Sequence, residues 1–163
     1  MKQTSGVTAL EDILYQKVLL LRAFAAICAG ALFCLENNDI DAFSEKLENR
    51  QALIEAIVAQ NNEFLSVLET LGEDKGIILK LSEPAAQNTI FPDWCKALRT
   101  NFLEATKLMK TCIFLNDKIK VRASDLRNNI LAELNRVKTC RKINGGYRIN
   151  NNTKGSIISY KSN

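Results

Sequence analysis

The stretch that most constrains this chain runs from Phe91 to Arg141. Apolar residues fall there at Trp94, Leu98, Phe102, Ala105, Met109, Cys112, Leu115, Ile119, Ala123, Leu126, Ile130, Leu134 and Val137. Steps of three and four place them on one face of a helix. Pro92 stands where a proline is tolerated, because the N–H it lacks has no partner in a first helical turn. Neither proline nor glycine interrupts the stretch before Gly145-Gly146. Roughly fifty residues at about 1.5 Å each make a rod about 75 Å long. Such a stripe needs partner helices along most of its length, from this chain or from another protein.

The preceding residues supply two partners. Thr8 to Glu11 fits a capping box, which starts a first helix at Thr8 after a frayed start over residues 1–7 and carries it to about Leu35. Leu10, Leu14, Leu21, Phe24, Cys28, Ala31 and Leu35 form its stripe, widened by Ile13, Leu20, Ile27 and Cys34. Asn37-Asn38-Asp39 is a turn and cap signal. A second helix follows from Ile40 to Leu71, with a stripe of Ile40, Phe43, Leu47, Ile54, Ile57 with Val58, Phe64 with Leu65, Leu68 and Leu71, and Gly72 ends it. So short a turn makes the pair an antiparallel hairpin. Gly76 to Leu81 reads as a turn or two of helix or as a short strand, stopped by Pro84, and Ser82 to Asn88 reads as loop. Beyond Gly145-Gly146 the chain is polar, basic and rich in Asn and Ser, which predicts a mobile tail. The predicted fold is all-α: an antiparallel helical hairpin plus one very long third helix, an elongated coiled-coil-like bundle over residues 1–144, with a disordered basic tail over 145–163.

Composition excludes most chemistry. There is no histidine, which removes the commonest general base and metal ligand. The five cysteines include no C-x-x-C pair, so they read as buried thiols of a reducing compartment rather than a zinc site. No phosphate loop or nucleophile elbow is present. Asp39/Asp41 and Glu73/Asp74 sit at turns, where carboxylates cap helices. No catalytic residue, cofactor or metal is therefore expected, and the chain is not expected to be an enzyme.

Val18 to Leu35 is apolar apart from Arg22 and approaches the length of a membrane span. Arg22 at that depth would cost about 2.5–3.5 kcal/mol. Glu11 and Asp12 stand where a secretory signal carries positive charge. A buried bundle helix in a cytoplasmic protein, without membrane insertion, is the better reading. Charge is divided along the chain. Residues 1–95 hold seven Lys/Arg against fourteen Asp/Glu, and residues 96–163 hold fifteen against four. The basic residues are mixed with acids up to Glu133, and Trp94 and Phe102 lie on the apolar stripe, so no nucleic-acid interface is expected.

What remains is interaction. The stripe over Leu126, Ile130, Leu134 and Val137 outruns the hairpin and predicts an apolar surface that takes an amphipathic helix. The alternative is a coiled-coil adaptor or a self-associating structural protein, with a possible homodimer through the same face.

At this point the layout resembles the FlgN-type flagellar export chaperones. The segment LENRQALIEAI, Leu47 to Ile57, is similar to that family's charged-then-apolar segment, with Arg50 where lysine is frequent. In FLNDKI, Phe114 to Ile119, Leu115-Asn116 matches a Leu-Asn pair, and Ile119 stands where the family often has a second Asn. An aromatic and a glycine, Tyr147 and Gly155, follow in the tail with wider spacing. The resemblance implies a non-enzymatic cytoplasmic protein that binds the C-terminal helices of hook–filament junction proteins. It would deliver them to the flagellar export gate and ATPase complex. The implied client-binding residues are Leu115, Ile119, Leu126, Ile130, Leu134 and Val137, and the implied export-gate contact is Tyr147.

Overall fold

The computed structural model describes the backbone of residues 2–72, 74–83 and 90–153, and the side chains of residues 6–72, 74–83 and 90–143. Among them are four α-helices and no strand: α1 (Lys2–Glu36), α2 (Ile40–Glu69), α3 (Asp74–Leu81) and α4 (Lys96–Thr153), with a 3₁₀ turn at Asp93–Cys95 before α4. The protein is an all-α helical bundle, and α1 and α2 form the expected hairpin. The chain divides after Arg122 into two compact units, Met1–Arg122 and Ala123–Asn163.

The hairpin turn is built from local hydrogen bonds. Asn38 adopts φ 56°, a left-handed conformation that Asn tolerates better than most residues. The Asp39 N–H donates to Cys34 O at 2.9 Å and the Asn38 N–H to Leu35 O at 3.2 Å. These are the two bonds that satisfy the last carbonyls of a helix in a Schellman ending. Asp39 then caps α2, its carboxylate accepting from the Ala42 N–H at 3.1 Å. One residue closes the first helix and opens the second.

α1 begins at Lys2 rather than at Thr8, so Thr8 lies inside the helix and the capping box does not form. Packing accounts for the difference. Gly6 lies against α2's end so closely that a Cβ there would sit 2.5 Å from Leu71 Cδ2. Val7 packs on the cluster that contains Leu71. Tertiary contact prolongs the helix past a local start signal. The ambiguous Gly76–Leu81 segment is the helix α3, which buries Ile78 and Leu81 fully. The expected loop falls largely on residues 84–89, outside the described ones.

In the unit Met1–Arg122 one buried cluster draws on all four helices. Leu10 and Leu14 of α1, Leu68 of α2, Ile78 and Leu81 of α3, and Cys95 and Leu98 form one buried cluster. Phe64 and Phe102 meet edge to face there, with centroids 5.7 Å apart. Further along, Val18, Leu21 and Ala105 are buried together, with Ile57 and Leu108 against them. α1 and α4 run parallel through these layers. Leu14, Leu21, Cys28 and Leu35 recur every seven residues in α1, and Leu98, Ala105, Cys112 and Ile119 do so in α4; all eight are buried. Met109, expected on this seam, is exposed, and Leu108 packs in its place. Trp94 is likewise partly exposed while Cys95 is buried. On α2, Ile40, Leu47, Val58 and Leu65 belong to the expected stripe but face water.

A polar bridge ties the three long helices near the middle of this unit. Arg50 Nη1 donates to Asn116 Oδ1 at 3.0 Å, and the guanidinium lies 5.8 Å from the Phe24 ring centroid. It also faces the Cys28 thiol, where it opposes the upward push of burial on that thiol's pKa. On the outside, Arg22 of α1 pairs with Glu104 of α4.

Candidate docking site

Three of the six expected client-binding residues form an open apolar stripe, and three do not. Ile119 is buried, and Leu115 and Leu126 are half-buried. Ile119 closes the heptad series of the Met1–Arg122 core, where its own chain covers it, so it cannot serve as a free surface. Ile130, Leu134 and Val137 stand 48%, 49% and 49% exposed, and every described residue from Arg127 to Ile143 is exposed. The stripe therefore begins at the edge of Leu126 and runs over Ile130, Leu134 and Val137. Leu131 and Ile143, which the heptad reading passed over, are exposed to a similar degree.

α4 does not stop at Gly145-Gly146 but continues to Thr153. A glycine pair ends a helix only by turning left-handed, and two residues kept helical cost about 1 kcal/mol each relative to alanine. The backbone of Tyr147 accordingly lies in α4. Its side chain, and the expected mobility of residues 154–163, lie outside the described residues.

One border of the stripe is basic. Taking 100° per residue along α4, Arg127 and Lys138 follow one border of the Ile130–Leu134–Val137 line, and Arg141 falls on the line itself, one turn beyond Val137. Glu133 and Cys140 lie on the other. Between Arg127 and Ile143 there are five Lys/Arg (Arg127, Arg136, Lys138, Arg141, Lys142) and one acid, Glu133. The Thr139 hydroxyl is turned to its own helix, donating to Asn135 O at 2.9 Å. Cys140 is the one exposed cysteine; Cys28, Cys34, Cys95 and Cys112 are buried. Among the described residues no group of three His, Cys, Asp or Glu could hold a metal ion.

Two segments singled out in the sequence meet elsewhere. Arg50, from Leu47–Ile57, and Asn116, from Phe114–Ile119, are partners in the polar bridge. Their place is in the framework of the bundle, not on the open stripe. α1 remains the one described helix long and apolar enough to cross a membrane by length and composition, with one face packed in the bundle core.

These features define the class: an all-α helical bundle with an apolar, basic-bordered helix face open to solvent. The chain matches no protein-family model, no curated protein and no solved structure.

Proposed function

We propose that this protein is a cytoplasmic export chaperone of the FlgN type, a binding protein and not an enzyme. Its distal α4 takes the C-terminal helical segment of a hook–filament junction protein, keeps that subunit from assembling early and presents it to the export gate and its ATPase complex. One observation carries the reading: Ile130, Leu134 and Val137 form a continuous apolar line with about half of each side chain in water. A helix laid along that line removes apolar area worth about 25 cal/mol per Å². The likeness of Leu47–Ile57 and Phe114–Ile119 to the family's segments supports the flagellar assignment. Tyr147 and the residues after it are the part assigned to the export machinery.

Titration of the purified chain with a junction protein's C-terminal peptide should give a one-to-one complex. Ile130→Glu and Leu134→Glu should abolish binding and leave the circular dichroism spectrum unchanged. Binding of both variants at wild-type strength overturns the assignment of the site. A chain that takes no peptide and instead pairs with itself through Ile130 and Leu134 is a coiled-coil adaptor or structural protein.

A further inference from the structure

We infer that the open stripe of α4 selects its partner by charge: the occupant is an acidic amphipathic helix of another protein, with carboxylates that meet Arg127 and Lys138 along one border and Arg141 beyond Val137. This deepens the docking reading above and rests on it.

The spacing carries the argument. Arg127 and Lys138 stand 11 residues apart, so they follow one line beside Leu134, and Arg141 caps the stripe one turn beyond Val137, close to its centre. All three are exposed. A helix seated on Ile130, Leu134 and Val137 brings its own flanking side chains within reach of that line, as at the borders of a coiled coil. Like charges placed there repel, and opposite charges attract. A second copy offering the same stripe would bring five cations and one acid against five cations and one acid. The stripe therefore disfavours pairing with itself. Long Lys and Arg stems also lie along an apolar partner while their heads stay wet, so the border adds contact area as well as charge.

The test uses two synthetic helices of equal length with the same Leu/Ile stripe, one flanked by Glu and the other by Lys. The full chain should bind the Glu helix one to one. At low salt it should do so about tenfold more tightly than the Lys helix, since three exposed pairs of a few-fold each multiply to that order. The gap should close as salt rises. The triple variant Arg127→Glu/Lys138→Glu/Arg141→Glu, all at exposed positions, should reverse the preference with an unchanged circular dichroism spectrum. Cys140 should be alkylated more slowly in the Glu-helix complex, because it flanks the occupied stripe. Equal affinity for the two helices overturns the charge selection while leaving the docking surface standing. Failure of both helices to bind or to protect Cys140 overturns the docking reading and this inference with it. A dimer that Ile130→Glu dissolves names a second copy as the occupant and overturns the inference alone.

Discussion

The two stretches of α4 on either side of Arg122 are written in nearly the same pattern. Leu98, Ala105, Cys112 and Ile119 recur every seven residues on the first, and Leu126, Ile130, Leu134 and Val137 step by fours and threes on the second. The first set is buried, whereas Ile130, Leu134 and Val137 are half exposed. The difference is one of supply. α1 ends at Glu36, so its series of layers closes with Leu35, and α2 turns back from there. Apolar periodicity thus states that a helix face wants a partner; the lengths of the neighbouring helices state whether the chain provides one. Charge does not divide α4 in the same way: residues 96–122 hold seven Lys/Arg against two Asp/Glu and residues 123–153 hold six against two, but the covered stretch packs beside the acidic α2.

The sharpest way to break this comparison is at Leu98, which is fully buried among Leu10, Leu14, Leu68, Ile78 and Leu81. Leu98→Ala should cost about 2–5 kcal/mol, the lost transfer energy plus a cavity that four packed elements cannot close. Urea unfolding measures it. A loss below about 1 kcal/mol would mean that this end of the bundle is loosely packed, and the contrast with the distal stretch would fail.

Alkaline pH acts on the unit Met1–Arg122, where burial has shifted three thiols and one amine. Burial raises the thiol pKa of Cys28, Cys95 and Cys112 above the ordinary 9.0, with Asp74 adding to it at Cys95 and Cys28 adding to it at Cys112; Arg50 opposes it at Cys28. The Cys112 thiol also hydrogen-bonds Leu21 O at 3.7 Å. A group with a raised folded pKa contributes stability that is complete below its unfolded pKa and is lost as pH climbs toward the folded value. Stability should therefore fall from about pH 9 upward, by at most about 1.4 kcal/mol per pH unit for each thiol. Burial lowers the pKa of Lys17 from 10.5, which acts in the opposite sense, since the cost of burying its charge fades as pH rises. Three thiols against one amine make the net change a loss. Denaturant curves at successive pH values under reducing conditions check the sign, and Cys112→Ala should flatten the decline. Stability that rises between pH 9 and 10 would contradict it.

Much of the fold was legible because its signals are local. Asn37-Asn38-Asp39 carries both a helix ending and a cap in three residues, and the chain uses all three as read. The errors arise where distant contact outweighs a local cue. Thr8 offers a cap, but Gly6 and Val7 are held against Leu71 and its cluster, and the helix starts earlier. Gly145-Gly146 offers a stop that the backbone does not take. α3 is too short for periodicity to separate helix from strand, and only the burial of Ile78 and Leu81 decides it. At the candidate site, the stripe itself could be read, but where it opens could not, because Ile119 and Ile130 look alike in the sequence and only their burial separates them. The Arg127–Lys138 border is carried by residue spacing, which a charge sum over whole segments does not resolve. The Arg50–Asn116 pair joins residues far apart in the chain, and nothing local announces it.

The smallest expected effect is also the most discriminating. Ile130→Gln with Leu134→Gln replaces two half-exposed apolar residues by one that forms helix as well as Leu and better than Ile. If nothing in the chain covers this stripe, little apolar area is lost, and unfolding free energy should move by no more than about 0.5 kcal/mol. The same double variant should lose the junction-protein peptide, because each glutamine puts an amide where the partner helix needs a dry contact. Stability and binding then separate cleanly. A loss above about 2 kcal/mol from this pair would place Ile130 and Leu134 in a core after all. The two stretches of α4 would be alike, and the chain would have no free face to offer.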